Sequence, residues 1–480
     1  MVKRNKGRIE SGFPHPVRGR ATGRDEGKLI KASIGNLEGD SMGKMLHLGV
    51  LITPNGAHNG AWRLPSSKPE NGFKLNHYVD IAQTAERGKL DFLFLADGYG
   101  MLPQKSEATA GRSPMLAFLE PFTLLSSLAG VTKHIGLAGS GTTTYFPPYM
   151  LARFVASLDH LSGGRAGWNL ITSANHAEAW NFGYEQHPDK DDRYKKASEF
   201  ADVVLGLWDS WKDDAFKFDK EKGQFFAPDG FKYLNHVGEH FKVKGPLTMP
   251  RTPQGRPVVA QAGSSEDGRH LAARTAEVVF TAQQNFEGAK AFYTDMRERL
   301  AKAGRKDEEM AILPGIVPVV GRTMEEAQAK ATALRDSYPA ELGIELLNGE
   351  FGIDLSVYPL DQPLPDDLPS SPLATSRRDL MIGFAKREGL TLGQLASATA
   401  SLGHWMVVGT PEMIADLMEK CLNEGAADGF IVMPAAMPTS LNDFVELVVP
   451  ELQRRGIFRT EYEGTTLRDN LGLKVPARTI

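Results

Sequence analysis

Cys421 is the only cysteine in the sequence, which excludes an intrachain disulfide and a cysteine-rich metal centre. It falls in a helical stretch, 413–422, and reads as a small buried apolar side chain. No run approaches the ~20 consecutive apolar residues that span a bilayer, and the N-terminus lacks the apolar core of a signal peptide. A membrane partner is therefore not expected, and a cytoplasmic location is. Charge of one sign is lacking too, since 55 Lys and Arg stand against 59 Asp and Glu, a formal net charge of −4. Without clustered cations, nucleic acid is not an expected partner. The histidines show no zinc-hydrolase frame: His236 and His240 have the i, i+4 spacing but not the HExxH order, and no metal site is expected. A serine nucleophile is unsupported as well, because Gly139-Ser140-Gly141 lacks the GxSxG frame.

What the sequence does have is a repeating rhythm. After a basic, glycine-rich stretch (Lys3, Arg4, Lys6, Arg8, Arg18, Arg20, Arg24) that has too few large apolar residues to bury a core, apolar runs of strand length alternate with amphipathic runs of helix length. Residues 1–44 are expected to be a disordered or spurious N-terminal extension. The strand-like runs are 46–52, 90–96, 135–140, 166–172, 257–262, 278–281, 313–320 and 429–433. Helical stretches follow at 75–87, 120–128, 149–161, 192–211, 268–274, 288–303, 324–335 and 411–423. Eight strand–helix pairs predict an α/β fold, a (β/α)8 TIM barrel over residues 45–455 with a C-terminal tail, 456–480. A doubly wound open sheet is the alternative, and it would normally carry GxGxxG after its first strand. Here Thr53-Pro54-Asn55-Gly56 follows instead. Two long insertions, 212–254 and 336–405, break the rhythm; the second is a candidate lid.

Barrel enzymes carry their reactive groups at strand C-terminal ends. Those positions hold Asp97, Ser140, Thr142, Thr143, Asn169, Thr172, Ser173, Ser264 and Ser265. The set has a single carboxylate among hydroxyls and an amide, which suits a neutral polar ring and a phosphate better than hydrolysis. Gly263-Ser264-Ser265 opens a helix, and a helix N-terminus is an anion site or an ordinary serine cap. The run 187–194, His-Pro-Asp-Lys-Asp-Asp-Arg-Tyr, opens another helix and puts Lys190 and Tyr194 within reach of a phosphate, or forms a solvated charged turn.

Four segments carry a resemblance. AQTAERG at 82–88 leading to LFLAD at 93–97, SLDHLSGGRAGWN at 157–169, NFG at 181–183 and QAGSS at 261–265 resemble the bacterial-luciferase-like flavin monooxygenases. Within that superfamily they look like the branch of the nitrilotriacetate and dibenzothiophene-sulfone monooxygenases. The resemblance implies a barrel that binds FMN as reduced FMN from a separate NAD(P)H:flavin reductase, and that oxygenates a small organic substrate with O2 through a C4a-peroxyflavin. It implies a homo-oligomer as well. It gives Asp97 a place beside the flavin ring, Ser140 a flavin contact, Asn169 a place near the flavin edge, and Tyr194 and Ser265, with Ser264 beside it, the phosphate. One departure stands out: where the family commonly reads His-Asp-x-Arg-Tyr, this chain has Lys190 in place of the histidine. A lysine still neutralises phosphate but does not act as an imidazole, and His187 is the candidate substitute, so Asn169 and His187 are the candidate catalytic residues. Two rivals are a deazaflavin-dependent hydride-transfer enzyme of the same superfamily and a flavin-binding protein without turnover.

Overall fold

The computed structural model describes residues 44–101, 111–112, 114, 117–370, 376–401 and 403–479. The expected N-terminal extension lies outside the described residues, Lys44 excepted. Each predicted strand run forms a strand: β1 (His47–Leu51), β2 (Phe92–Leu95), β3 (Gly136–Thr142), β4 (Ala166–Ile171), β5 (Val258–Gln261), β6 (Val278–Thr281), β7 (Ala311–Val320) and β8 (Gly429–Val432). All pair in parallel with their sequence neighbours. His47 pairs with Gly429, closing β1 on β8, and Val278 pairs with Ala311, joining β6 to β7. The ring is a closed eight-stranded barrel, so the open-sheet alternative falls.

Period-two alternation explains why these runs are almost wholly apolar: one face fills the barrel and the other meets the helices. Phe92, Phe94, Ala138, Val258, Ala260, Leu313 and Ile431 belong to the interior cluster. Leu93, Leu95, Leu137, Trp168, Leu170, Val259 and Phe430 belong to the layer under the helices. Trp168 is fully buried there and donates to the Gly141 carbonyl at 3.1 Å, so its truncation to alanine costs about 3–5 kcal/mol.

The SLDHLSGGRAGWN segment owes most of its wording to structure. After α1 (Leu75–Arg87) and α2 (Pro121–Ala129), helix α3 (Pro148–Ser162) ends on Gly163 at φ 70°. The Arg165 guanidinium then donates to Ser162 O, Ile135 O, Ala129 O, Thr132 O and Thr132 Oγ1. Buried Asp159 accepts from Ala166 N and Gln254 Nε2. These bonds lock the helix to the start of β4 and fix where Asn169 emerges. Cys421 is buried on helix Pro411–Asn423, and burial pushes its thiol up to about 12.

The helix pattern differs from expectation at the end of the chain. Helices Met324–Asp336 and Pro411–Asn423 both lie between β7 and β8, with a ninth strand, Trp405–Gly409, which pairs outside the ring on the second half of β7. The helix after β8 runs in three contiguous segments from Thr439 to Arg454. Residues 212–254 form two small hairpins, in which His236 Nε2 lies 2.8 Å from Glu199 Oε1. Within 336–405, helices Ala340–Phe351, Ser376–Glu388 and Leu392–Ala398 share a small core of their own around Leu347, Phe351, Met381 and Leu395. This unit meets the loop after β1: Asn59 N donates to Ala400 O at 2.7 Å, and Arg63 Nη1 to Ser337 O at 2.8 Å. At the opposite end, Leu467, Leu471 and Leu473 join the interior cluster. No helix among the described residues is long and apolar enough to cross a membrane.

Candidate active site

Strands β2 to β5 are consecutive in the ring, and their C-terminal ends form one arc. Ala96 and Ala262, the residues directly after β2 and β5, are exposed although the strands beneath them are buried. Between them on β3 and β4, Ser140 and Asn169 are cross-strand partners. Asn169 Nδ2 donates to Ser140 Oγ at 2.8 Å, and Ser140 Oγ donates to Leu95 O at 3.0 Å. Asn169 is 3% exposed, yet its Oδ1 has no hydrogen-bond partner. A buried acceptor left unpaired is costly in a folded protein and marks a place where a ligand donor completes the set. Higher on the same arc, Thr142 Oγ1 and Ser173 Oγ lie 2.8 Å apart, with Ser173 held at φ 50°. A non-glycine residue in that left-handed region is a local strain of the kind that gathers at functional sites.

Asp97 sits at the end of β2. Burial raises its carboxyl to about 6 against the opposing pull of Tyr99 and the Gly98 amide, and Gly98 N donates to its Oδ1 at 2.9 Å. Glu178, unremarked in the sequence, is 4% exposed, and burial raises its carboxyl too, with Asp97 adding to the effect. Both acids surround the Tyr99 phenol, whose proton is held tightly by burial and by the two charges.

The phosphate-type end lies where two helices begin. Ser265 caps helix α5 (Glu266–Thr275), accepting from Gly268 N at 3.2 Å, and donates to Tyr194 Oη at 3.2 Å. Tyr194 stands in the first turns of helix α4 (Lys190–Trp208). Lys190 Nζ pairs with Asp267 Oδ2 at 2.7 Å and lies 5.8 Å from the Tyr194 ring centroid. A Cβ on Gly263 would sit 2.3 Å from Gln261 Nε2 and 2.9 Å from Gly268 Cα, so only glycine lets the strand end approach the helix start this closely. Tyr194, Ser265 and Lys190 are thus one cluster, with half-buried Ser264 next to it.

His187 is not part of either group. Its Nδ1 lies 2.6 Å from Tyr145 Oη, and burial, followed by the Arg193 guanidinium, lowers its pKa. Tyr145 stacks on Phe182 with centroids 4.6 Å apart and 7° between planes. Tyr99 packs on Phe146 and Phe182 beside them. Sequence reasoning missed Tyr99, Tyr145, Glu178 and Asp267, although Tyr145 directly follows the threonine run and Asp267 lies two residues past Ser265. Arg153 is exposed on α3, and Arg378 is spent on the carbonyls of Phe351 and Pro369. Arg112 is exposed, and the Arg377 side chain lies outside the described residues. Among the described residues no cluster of His, Cys, Asp and Glu is arranged to hold a metal ion.

Residues 51–429 of the chain match the model of the luciferase-like monooxygenase family. The chain belongs to the luciferase-like monooxygenase family. It is 50% identical to nitrilotriacetate monooxygenase component A of Aminobacter aminovorans over 445 residues, which are 91% of this chain and 98% of that protein. It is 41% identical to dibenzothiophene-sulfone monooxygenase of Rhodococcus erythropolis (strain XP) over 449 residues, 90% of this chain and 98% of that one. Among solved structures, a riboflavin lyase with modified FMN and riboflavin superposes with a TM-score of 0.79 at 31% identity, over 90% of this chain and 97% of that one. Membership in this family, with monooxygenases as relatives along nearly the whole chain, makes the protein an enzyme of the monooxygenase class and removes the reading without turnover.

Proposed function

We propose that the protein is the oxygenase component of a two-component system that takes reduced FMN from a separate NAD(P)H:flavin reductase and uses O2 to oxygenate a small organic substrate. The observation that carries this reading is the unpartnered, buried Asn169 Oδ1 in an arc flanked by exposed Ala96 and Ala262. The residues present fit the cofactor. Asn169, Ser140 and Asp97 offer a polar edge to a flat heterocycle, and Tyr194, Ser264, Ser265, Lys190 and the N-terminus of α5 offer hydroxyls, a cation and a helix dipole to a phosphate. The word "component" in the name of the nitrilotriacetate relative and the lack of a GxGxxG turn support a separate reductase.

When bound, reduced FMN supplies the electrons that activate dioxygen. The chain's own contribution is to bind, orient and keep water out. Asn169 accepts a hydrogen bond through Oδ1 while its amide group stays committed to Ser140. Tyr194 and Ser265 fix the phosphate end. The aromatic group of Tyr99, Tyr145, Phe146 and Phe182, together with the unit 336–405 packed on the loop after β1, covers the mouth against solvent.

Rapid mixing tests the proposal. Protein loaded anaerobically with reduced FMN is mixed with oxygenated buffer, and the absorbance is followed. The expected result is a transient band distinct from both reduced and oxidised FMN, outlasting the oxidation of free reduced FMN. Direct oxidation at the free-flavin rate rejects the reading.

A further inference from the structure

Helix α4 presents two sets of side chains at its start. Lys190 and Tyr194, four residues apart, belong to the phosphate-type cluster. Arg193 and Lys196, three residues apart, are neighbours on the adjoining face. Arg193 Nη1 donates to Thr172 O at 3.1 Å and to Ser173 O, and its Nε donates to Pro188 O at 3.1 Å. Lys196 Nζ donates to Thr144 O at 2.7 Å. Thr144 Oγ1 in turn donates to Thr172 O at 2.8 Å, so the two gripped segments are tied to each other. They continue β3 and β4, the strands that carry Ser140 and Asn169.

Burial weighs against the charge on both cations, and a half-buried cation pulled off its carbonyls would be left unsatisfied. The bonds therefore fix the distance between the helix start and the strand ends. Further along α4, Ala197, Phe200, Ala201 and Val204 are buried in the layer around the barrel. Packing holds the body of the helix, and the first two turns depend on the two cations for their place. We infer that Arg193, seconded by Lys196, is a positioning residue that sets the span between the ring site at Ser140 and Asn169 and the phosphate site at Lys190, Tyr194 and Ser265. The inference rests on the flavin reading above.

A ligand with a flat ring at one end and a phosphate at the other gains from both sites only when their separation matches its own length. When the geometry forbids simultaneous engagement, the advantage of joining the two ends is lost although each site is intact. Removing Arg193 therefore has a signature of its own: each half-site keeps its affinity for its own fragment, and only the joined molecule binds more weakly. Removing Lys190 takes away a phosphate contact instead, and that weakens the phosphate fragment as well.

Three ligands are titrated separately into the protein without flavin: riboflavin and oxidised FMN by fluorescence, and inorganic phosphate by 31P line broadening. The wild type is expected to bind all three, FMN more tightly than riboflavin. In Arg193→Met, riboflavin and phosphate are each expected to bind within about twofold of the wild type, while FMN weakens roughly tenfold or more. Arg193→Lys keeps a cation able to reach one carbonyl and is expected to fall between the two; it carries the test if Arg193→Met does not fold. Lys190→Met is the contrast, weakening phosphate along with FMN. Arg193→Met that binds FMN as the wild type does overturns the inference. So does a parallel loss of riboflavin, which is general damage to the mouth, or of phosphate, which makes Arg193 a direct phosphate ligand. A wild type that binds both flavins but no phosphate overturns it as well, there being no second half-site to align. A wild type that binds neither flavin rejects the flavin reading, and the inference with it.

Discussion

Asp97 is governed by burial, Tyr99, Gly98 and Glu120, none of them a cation, and that sets a pH dependence of defined sign. Its folded pKa, about 6, lies above the unfolded value near ~3.9, so between those values the folded state holds the extra proton. Stability from this group is present below about pH 4 and is lost as pH rises through 6. Asp97→Asn is therefore expected to match the wild type in unfolding free energy at pH 4 and to exceed it by pH 7, by on the order of 1 kcal/mol once solvent screening at this partly exposed carboxyl is counted. A gap that stays constant across pH 4–8 contradicts the assignment. The individual residue types at the strand ends were legible because a parallel barrel presents them in sequence order, and Ser140 and Asn169 do meet as cross-strand neighbours. Tyr145 and His187 were not, since the contact joins two loops 42 residues apart and depends on a turn at Gly183 that no periodicity encodes.

Helix starts are the next scale, because α4 and α5 begin side by side and the ion pair of Lys190 with Asp267 ties their first turns, as Arg274 with Asp202 ties them further along. Lys190 and Asp267 are nearly half exposed, so their pair contributes only about 0–1 kcal/mol to stability. Its consequence is for binding: Lys190 is held next to Tyr194 and Ser265, where a phosphate would compete with Asp267 for it. Lys190→Met is expected to weaken FMN binding about tenfold, the scale of one charge-assisted hydrogen bond, and to leave riboflavin binding unchanged. Asp267→Asn is expected to strengthen FMN binding. Fluorescence titration with the two flavins measures both, and an equal loss for riboflavin would place Lys190 away from the phosphate. At this scale the sequence read well wherever an element follows one period, as all eight barrel strands do. It read less well between β7 and β8, where the chain adds the helical unit within 336–405 and the strand Trp405–Gly409 between the helices Met324–Asp336 and Pro411–Asn423. That run of five residues is only partly buried and pairs outside the ring, so neither its length nor its pattern set it apart from the excursion before it.

The two ends of the barrel divide the work of the whole molecule. The C-terminal mouth carries the polar arc, and the N-terminal end is sealed by residues 456–479, whose Leu467, Leu471 and Leu473 enter the interior cluster. Arg468, 1% exposed, pins this seal by pairing with Glu277, just before β6, and donating to the Arg256 and Lys474 carbonyls. Nothing in the period of the tail announces this role, because its apolar residues are few and spaced by polar ones. Arg468→Ala strands the Glu277 charge in a largely buried setting, and breaking such a pair from one side costs about 3–5 kcal/mol. Replacing both partners, Arg468→Leu with Glu277→Leu, leaves no stranded charge and is expected to cost less than Arg468→Ala alone. Because the seal lies at the stability end of a barrel and not at its active end, the FMN dissociation constant of the folded fraction should be the same in all three proteins. Chemical denaturation and flavin titration on each decide the matter. A double replacement as costly as Arg468→Ala would show that the carbonyl bonds of the guanidinium, rather than the ion pair, hold the tail in place, and a weakened FMN affinity would show that the two ends are coupled.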